Sequence, residues 1–218
     1  MADGSLTEGL WASPTGGGVT RVPGAKPISF HLTWSGSDDR PDRSSGDGVG
    51  EGEGGHGGPT GSVDLDLGCF YWTIHGDRGA LQSVGSSGLE APSVQTAAGD
   101  PLLRLSSDEF EGGGDGERLV VERPGDISFL VLHTSIYRGA ADFREVGARV
   151  SVETGSRSIT EVVLGSPAPG LDWCAVLVLG ISGSRLHLAN EERYFRSAFH
   201  ADRHYGLGLR WEMGRKPD

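Results

Sequence analysis

Short runs of β-forming residues, each soon cut off by Gly, Pro, Asp or Ser, fill the chain from Val63 onward. They are Leu67 to His75, Ala80 to Val84, Arg118 to Val121, Ile127 to Tyr137, Ala148 to Glu153, Ser158 to Leu164, Trp173 to Ile181, Arg185 to Leu188 and Gly206 to Trp211. Such spacing, with no long helical pattern between the runs, predicts an all-β domain, a sandwich or a barrel. Only Ala140 to Val146 and Asn190 to Arg196 have the pattern of short helical turns. The runs Ile127 to Tyr137 and Trp173 to Ile181 are almost continuously apolar, which predicts burial on both faces at a sheet centre. Upstream, Ile28 to Trp34 alternates apolar with polar residues and predicts one early strand.

Two segments cannot contribute to a core. Residues 1–27 are rich in Gly and Pro and read as a disordered tail. Ser35 to Ser62 holds ten glycines, six acids and one aliphatic residue, Val49, and reads as a disordered acidic insertion within a domain spanning 28–215.

Charge narrows the function. The chain of 218 residues has 19 basic and 30 acidic side chains, a net charge of -11, which repels both the phosphates of nucleic acid and an anionic membrane face. Cations and basic partners are its electrostatic complement. The longest apolar run, Cys174 to Ile181, is far short of the ~18 residues that a membrane-spanning helix needs. Asp3 and Glu8 stand where a secretory signal would carry basic residues, so a cytoplasmic location is expected. Cys69 and Cys174 lie in apolar runs, as buried free thiols do.

The chemistry concentrates in Asp108 to Glu117, where five carboxylates (Asp108, Glu109, Glu111, Asp115 and Glu117) share ten residues with four glycines, Gly112 among them. Like charges packed into a turn repel unless a cation or solvent compensates them. Ca²⁺ is bound by roughly 6–8 oxygens, and glycines let a loop fold sharply enough to converge them. Asp64 and Asp66 stand two apart in Val63 to Leu67. In a strand both carboxylates then project from one face while Val63, Leu65 and Leu67 face the core. A pair of solvated acidic stretches is the plainer alternative.

Four features together resemble the TerD-domain superfamily of bacterial tellurium-resistance and stress proteins, closest to its TerA-like actinobacterial members. They are Val63-Asp64-Leu65-Asp66-Leu67-Gly68-Cys69, the acidic glycine loop, the strand Ser128 to Ile136, and the ending Tyr205 to Glu212. The resemblance covers about residues 28–215 without the insertion. It implies a two-sheet β-sandwich that binds calcium, has no enzymatic activity and scaffolds protein partners, other tellurium-resistance components among them. Asp64, Asp66, Asp108, Gly112, Asp115 and Gly116 match the family's calcium-binding pattern, and Glu117 replaces an aspartate. Ser107, Glu109 and Glu111 depart from it, and Arg118 and Leu119 stand where many members have two further acids. One Ca²⁺ site is thus implied, and the second is weakened.

Other chemistries have less behind them. A divalent-metal enzyme acting on a phosphorylated substrate would need a basic group near the acids, and Arg118 is the sequence neighbour of that kind. A metal-free interaction module is the third possibility. His200 and His204, four apart, lack the Glu and third ligand of a zinc helix and read as a surface turn. No Gly-x-Ser-x-Gly elbow follows a strand. Gly112 to Gly114 lacks the Lys-Ser/Thr ending of a phosphate loop.

Overall fold

In the computed structural model the described residues are 19–22, 26–35, 63–82, 92–106, 116–166, 168–182 and 185–211. They form an all-β sandwich of two six-stranded antiparallel sheets. In chain order the strands are β1 (Val19–Val22), β2 (Ile28–Thr33), β3 (Asp64–Thr73), β4 (Arg78–Gln82), β5 (Ser93–Gln95), β6 (Pro101–Leu105), β7 (Glu117–Val121), β8 (Ile127–Arg138), β9 (Arg149–Thr154), β10 (Arg157–Val163), β11 (Trp173–Ser182) and β12 (Arg185–Phe195), followed by helix α1 (Ala198–Tyr205). One sheet runs β1-β12-β11-β8-β3-β4 and the other β10-β9-β2-β7-β6-β5. No helix among the described residues is long and apolar enough to cross a membrane.

The core lies between the sheets. β2 shows the period-2 rule directly: Ile28, Phe30 and Leu32 are fully buried, and the residues between them are half-buried. β8 and β11 occupy the centre of the first sheet and are buried on both faces. Leu130, Leu132 and Val176 join the inter-sheet core, while Phe129, Val131, Trp173 and Ala175 form a second apolar layer on the outer face. Helix α1 and the segment after it cover that layer through Ala201, Tyr205 and Leu207. Gly206 ends the helix in the left-handed region at φ 70°, its N–H donating to the Asp202 carbonyl at 2.8 Å.

The structure departs from the sequence reading in several places. Val19–Val22, read as part of a tail, pairs antiparallel with β12 from Ala189 to Leu186, because an edge strand needs only one partner and one buried residue, here Val22. Asn190 to Phe195 is the extended end of β12, not a helical turn. It bulges opposite Val176, where the register with β11 slips and Glu192 takes a φ of 39°. Gly206 to Trp211 is not a strand but the cap and tail of α1, and the residues of the expected surface turn at His200 to His204 lie inside that helix. β5 and β6 also went unread, because β5 is only three residues long and Pro101 and Arg104 break the alternation of β6.

Apart from Lys26, Pro27 and Ser35, the rest of the expected tail and insertion lies outside the described residues, and the flanks of the insertion meet. Trp34, at the end of β2, donates its indole N–H to the carbonyl of Val63, just before β3, at 3.0 Å. The two described residues that flank the acidic segment, Trp34 and Val63, are thus in direct contact.

Candidate functional site

The site forms where β3 begins and β7 begins. Val63, Leu65 and Leu67 are buried in the core as the alternation predicts, and Asp64 and Asp66 take the intervening positions. Asp64 is 0% exposed and Asp66 is half-buried, so the face that carries them is covered and not simply solvated. β4 pairs with β3 only from Gly68 to Trp72. Just beyond the end of that pairing, the amide of Leu67 donates to Oε2 of Glu117 at 2.5 Å.

Glu117 belongs to the other sheet, opposite Leu32 on β2, and is also 0% exposed. Its carboxylate therefore bridges the two sheets near the starts of β3 and β7. Strand alternation sends the neighbouring Arg118 outward, where it is exposed, so its guanidinium does not face the buried carboxylates.

The local chain geometry is specific. Ser106 and Arg118 close the base of the β6–β7 connection: the Ser106 N–H donates to the Arg118 carbonyl at 2.7 Å, and the Arg118 N–H donates to Ser106 Oγ at 2.9 Å. Gly116 sits at φ 67°, and a Cβ there would stand 2.1 Å from the Leu32 carbonyl oxygen, so no other residue fits without moving the backbone of β2.

Of the eight residues expected to hold a metal, the structure brings Glu117 onto the segment that contains Asp64 and Asp66. Asp108, Glu109, Glu111, Gly112 and Asp115 lie outside the described residues. Among the described residues no group of three or more His, Cys, Asp or Glu side chains is placed to hold a metal ion. A hard cation at this end would therefore need oxygens from 107–115 as well. Carboxylates taken out of water need positive charge, donors or a proton close by.

The other candidates resolve into structural roles. Asp202, between His200 and His204, is buried and accepts from the Leu209 N–H at 3.1 Å and the Trp211 indole N–H at 2.9 Å, which ties the C-terminal segment to the helix. His200 Nδ1 lies 2.9 Å from Ser197 Oγ, and His204 packs edge-on against Tyr205. Cys69 and Cys174 are free and buried, and burial raises both thiols above their ordinary pKa, so they remain protonated.

Two features escaped the sequence reading. His133 is 2% exposed, packs at a tilt against Trp173 at 4.5 Å and Phe70 at 5.1 Å between ring centres, and has no hydrogen-bond partner at either ring nitrogen among the described residues. The only signal for it was one imidazole inside the apolar run Phe129 to Ile136. Glu192, at the β12 bulge, accepts from the amides of Gly165 at 3.2 Å and Ser166 at 3.0 Å and from the Tyr194 hydroxyl at 3.1 Å.

Comparison of the chain with models of known protein families finds no matching family, and comparison with curated proteins finds no significant match.

Proposed function

We propose that this protein is a calcium-binding, non-enzymatic β-sandwich module of the TerD type, acting through protein partners in a bacterial stress or tellurite-resistance response. The observation that carries this reading is the contact between two acidic elements about fifty residues apart in sequence, Glu117 of one sheet bonded to the amide beside Asp66 in the other. Asp64, Asp66 and Glu117 would hold the ion together with the acids of 108–115, and Ca²⁺ would supply the positive charge that offsets carboxylate burial. The rest is done by the chain. Glu117 ties the sheets together near the starts of β3 and β7, Gly116 sets the angle at which the chain enters β7, and the Ser106–Arg118 pair closes the ends of β6 and β7. A surface ordered in this way is one that partners can recognise.

The reading makes the two acidic elements energetically dependent. With calcium present, Asp66→Asn and Asp115→Asn together should cost less stability than the sum of the single changes, by about 1 kcal/mol or more, because the first substitution already loses the ion. In chelator that deficit should vanish. Denaturant unfolding of the four proteins in both conditions measures it, and losses that add to within about 0.5 kcal/mol in calcium would put the two elements in separate sites.

A further inference from the structure

At the opposite end of β3 the two sheets carry the same turn. Thr73-Ile74-His75-Gly76-Asp77 joins β3 to β4, and Thr96-Ala97-Ala98-Gly99-Asp100 joins β5 to β6. In each, the Thr N–H donates to the Asp carbonyl at 2.8 Å, the Gly N–H donates to the Thr carbonyl, at 3.1 Å and 2.9 Å, and the Asp N–H donates to the Thr hydroxyl, at 3.1 Å and 3.2 Å. The glycines take φ values of 93° and 85°. Two equivalent rigid turns thus line one cavity of about 400 Å³ between the edges of the sheets, floored by Tyr71, Val94 and Leu102.

The equivalent aspartates differ in their partners. Asp100 accepts from Arg123 at 3.3 Å, and Arg123 also holds Asp126 at 2.6 Å, so the charges on that wall are paired. Asp77 and its neighbour Arg78 both line the cavity, and neither side chain makes a hydrogen bond or ion pair among the described residues. The Tyr71 hydroxyl, which stands 2.6 Å from where a Gly79 Cβ would be, has no hydrogen-bond partner among them either. Burial, and after it the nearby charge of Asp77, raises this phenol above its ordinary pKa, so it remains a donor.

We propose that this cleft binds a small zwitterion of amino-acid type, its carboxylate on Arg78, its ammonium on Asp77 and its apolar side chain over Val94 and Leu102. A net anion is disfavoured because Arg78, the open cation among the described lining residues, has an open carboxylate beside it. A purely apolar ligand would leave both charges without a counterpart. The volume is at the small end of the range for ligand pockets.

The full chain, held in chelator so that the acidic end plays no part, should be titrated calorimetrically with L-leucine, L-leucinamide and N-acetyl-L-leucine, and then with the other common L-amino acids at millimolar concentration. An amino acid with an apolar side chain should bind saturably. Removing its carboxylate or blocking its amine should weaken binding about tenfold or more, as should Arg78→Ala and Asp77→Asn. Both residues are exposed, so these variants should fold, and circular dichroism checks that they do. Absence of saturable binding by any amino acid would overturn the proposal, as would equal affinity for leucinamide or N-acetyl-leucine, or binding that survives both substitutions.

Discussion

Gly68→Ala should lower stability by about 3 kcal/mol, the upper range for overpacking a filled interior. A Cβ on Gly68 would lie 2.5 Å from His133 Cε1 and 2.7 Å from the Leu81 carbonyl oxygen. The second neighbour is backbone, held by the pairing of β4 with β3, and cannot swing aside. In a domain of this size the loss corresponds to a fall in Tm of roughly 6–12 °C. Gly79→Ala gives the contrast. The atoms within 3.0 Å of its Cβ are at the hydroxyl end of Tyr71, which can rotate outward, so about 1 kcal/mol is expected. Adding His133→Ala to Gly68→Ala should restore only part of the loss, because the Leu81 carbonyl remains. Thermal melts of these variants decide it, and equal losses at Gly68 and Gly79 would contradict this account of β3.

Acid should destabilise the protein through His133. Burial lowers its imidazole from the ordinary 6.5 to about 3, with no charged partner to compensate. The unfolded chain takes up a proton below pH 6.5 while the folded chain does not until near pH 3. Stability from this residue is therefore complete above pH 6.5 and falls as the pH drops toward 3, by roughly 4 kcal/mol across the window. His133→Leu removes the titrating group and leaves the apolar shell of Phe70 and Trp173. Since neither ring nitrogen is hydrogen-bonded, the change should be nearly neutral or stabilising at pH 7. Urea unfolding in chelator between pH 7 and 4 should show a flatter pH dependence for the variant. Parallel curves for the two proteins would rule out His133 as the source.

The architecture was legible wherever burial alone decides structure. β8 and β11 stood out as continuous apolar runs, and their positions at the centre of a sheet explain why. Where hydrogen bonding and covering elements decide, the pattern misled. In Asn190 to Arg196 the closely spaced charged residues looked helical, yet they continue β12 around a bulge that lets two glutamates reach different partners, Tyr205 for Glu191 and the 165–166 amides for Glu192. Leu207, Leu209 and Trp211 alternate like a strand because they pack on the outer apolar layer, though the backbone there follows a helix cap.

The candidate site was half legible. Asp64 and Asp66 could be placed on one face by counting along β3. Nothing in the spacing between them and Glu117 says that a second sheet delivers that carboxylate to the Leu67 amide, since the contact exists only once the sandwich has closed. The repeated Thr-x-x-Gly-Asp turn was present in the sequence, but its meaning rests on which aspartate finds an arginine, which is a tertiary fact.

The central claim is that the carboxylates of β3 and β7 are completed by a cation, and melting the metal-stripped full chain in calcium and in chelator tests it most directly. Calcium at a hundredfold excess over its dissociation constant should stabilise the fold by about 2.7 kcal/mol. That is a rise in Tm of roughly 5–10 °C. Asp108→Ala, Asp115→Ala and Glu117→Gln should each abolish most of that rise, and magnesium should give less of it. The same Tm in calcium and in chelator would contradict the account and leave a metal-free interaction module in its place.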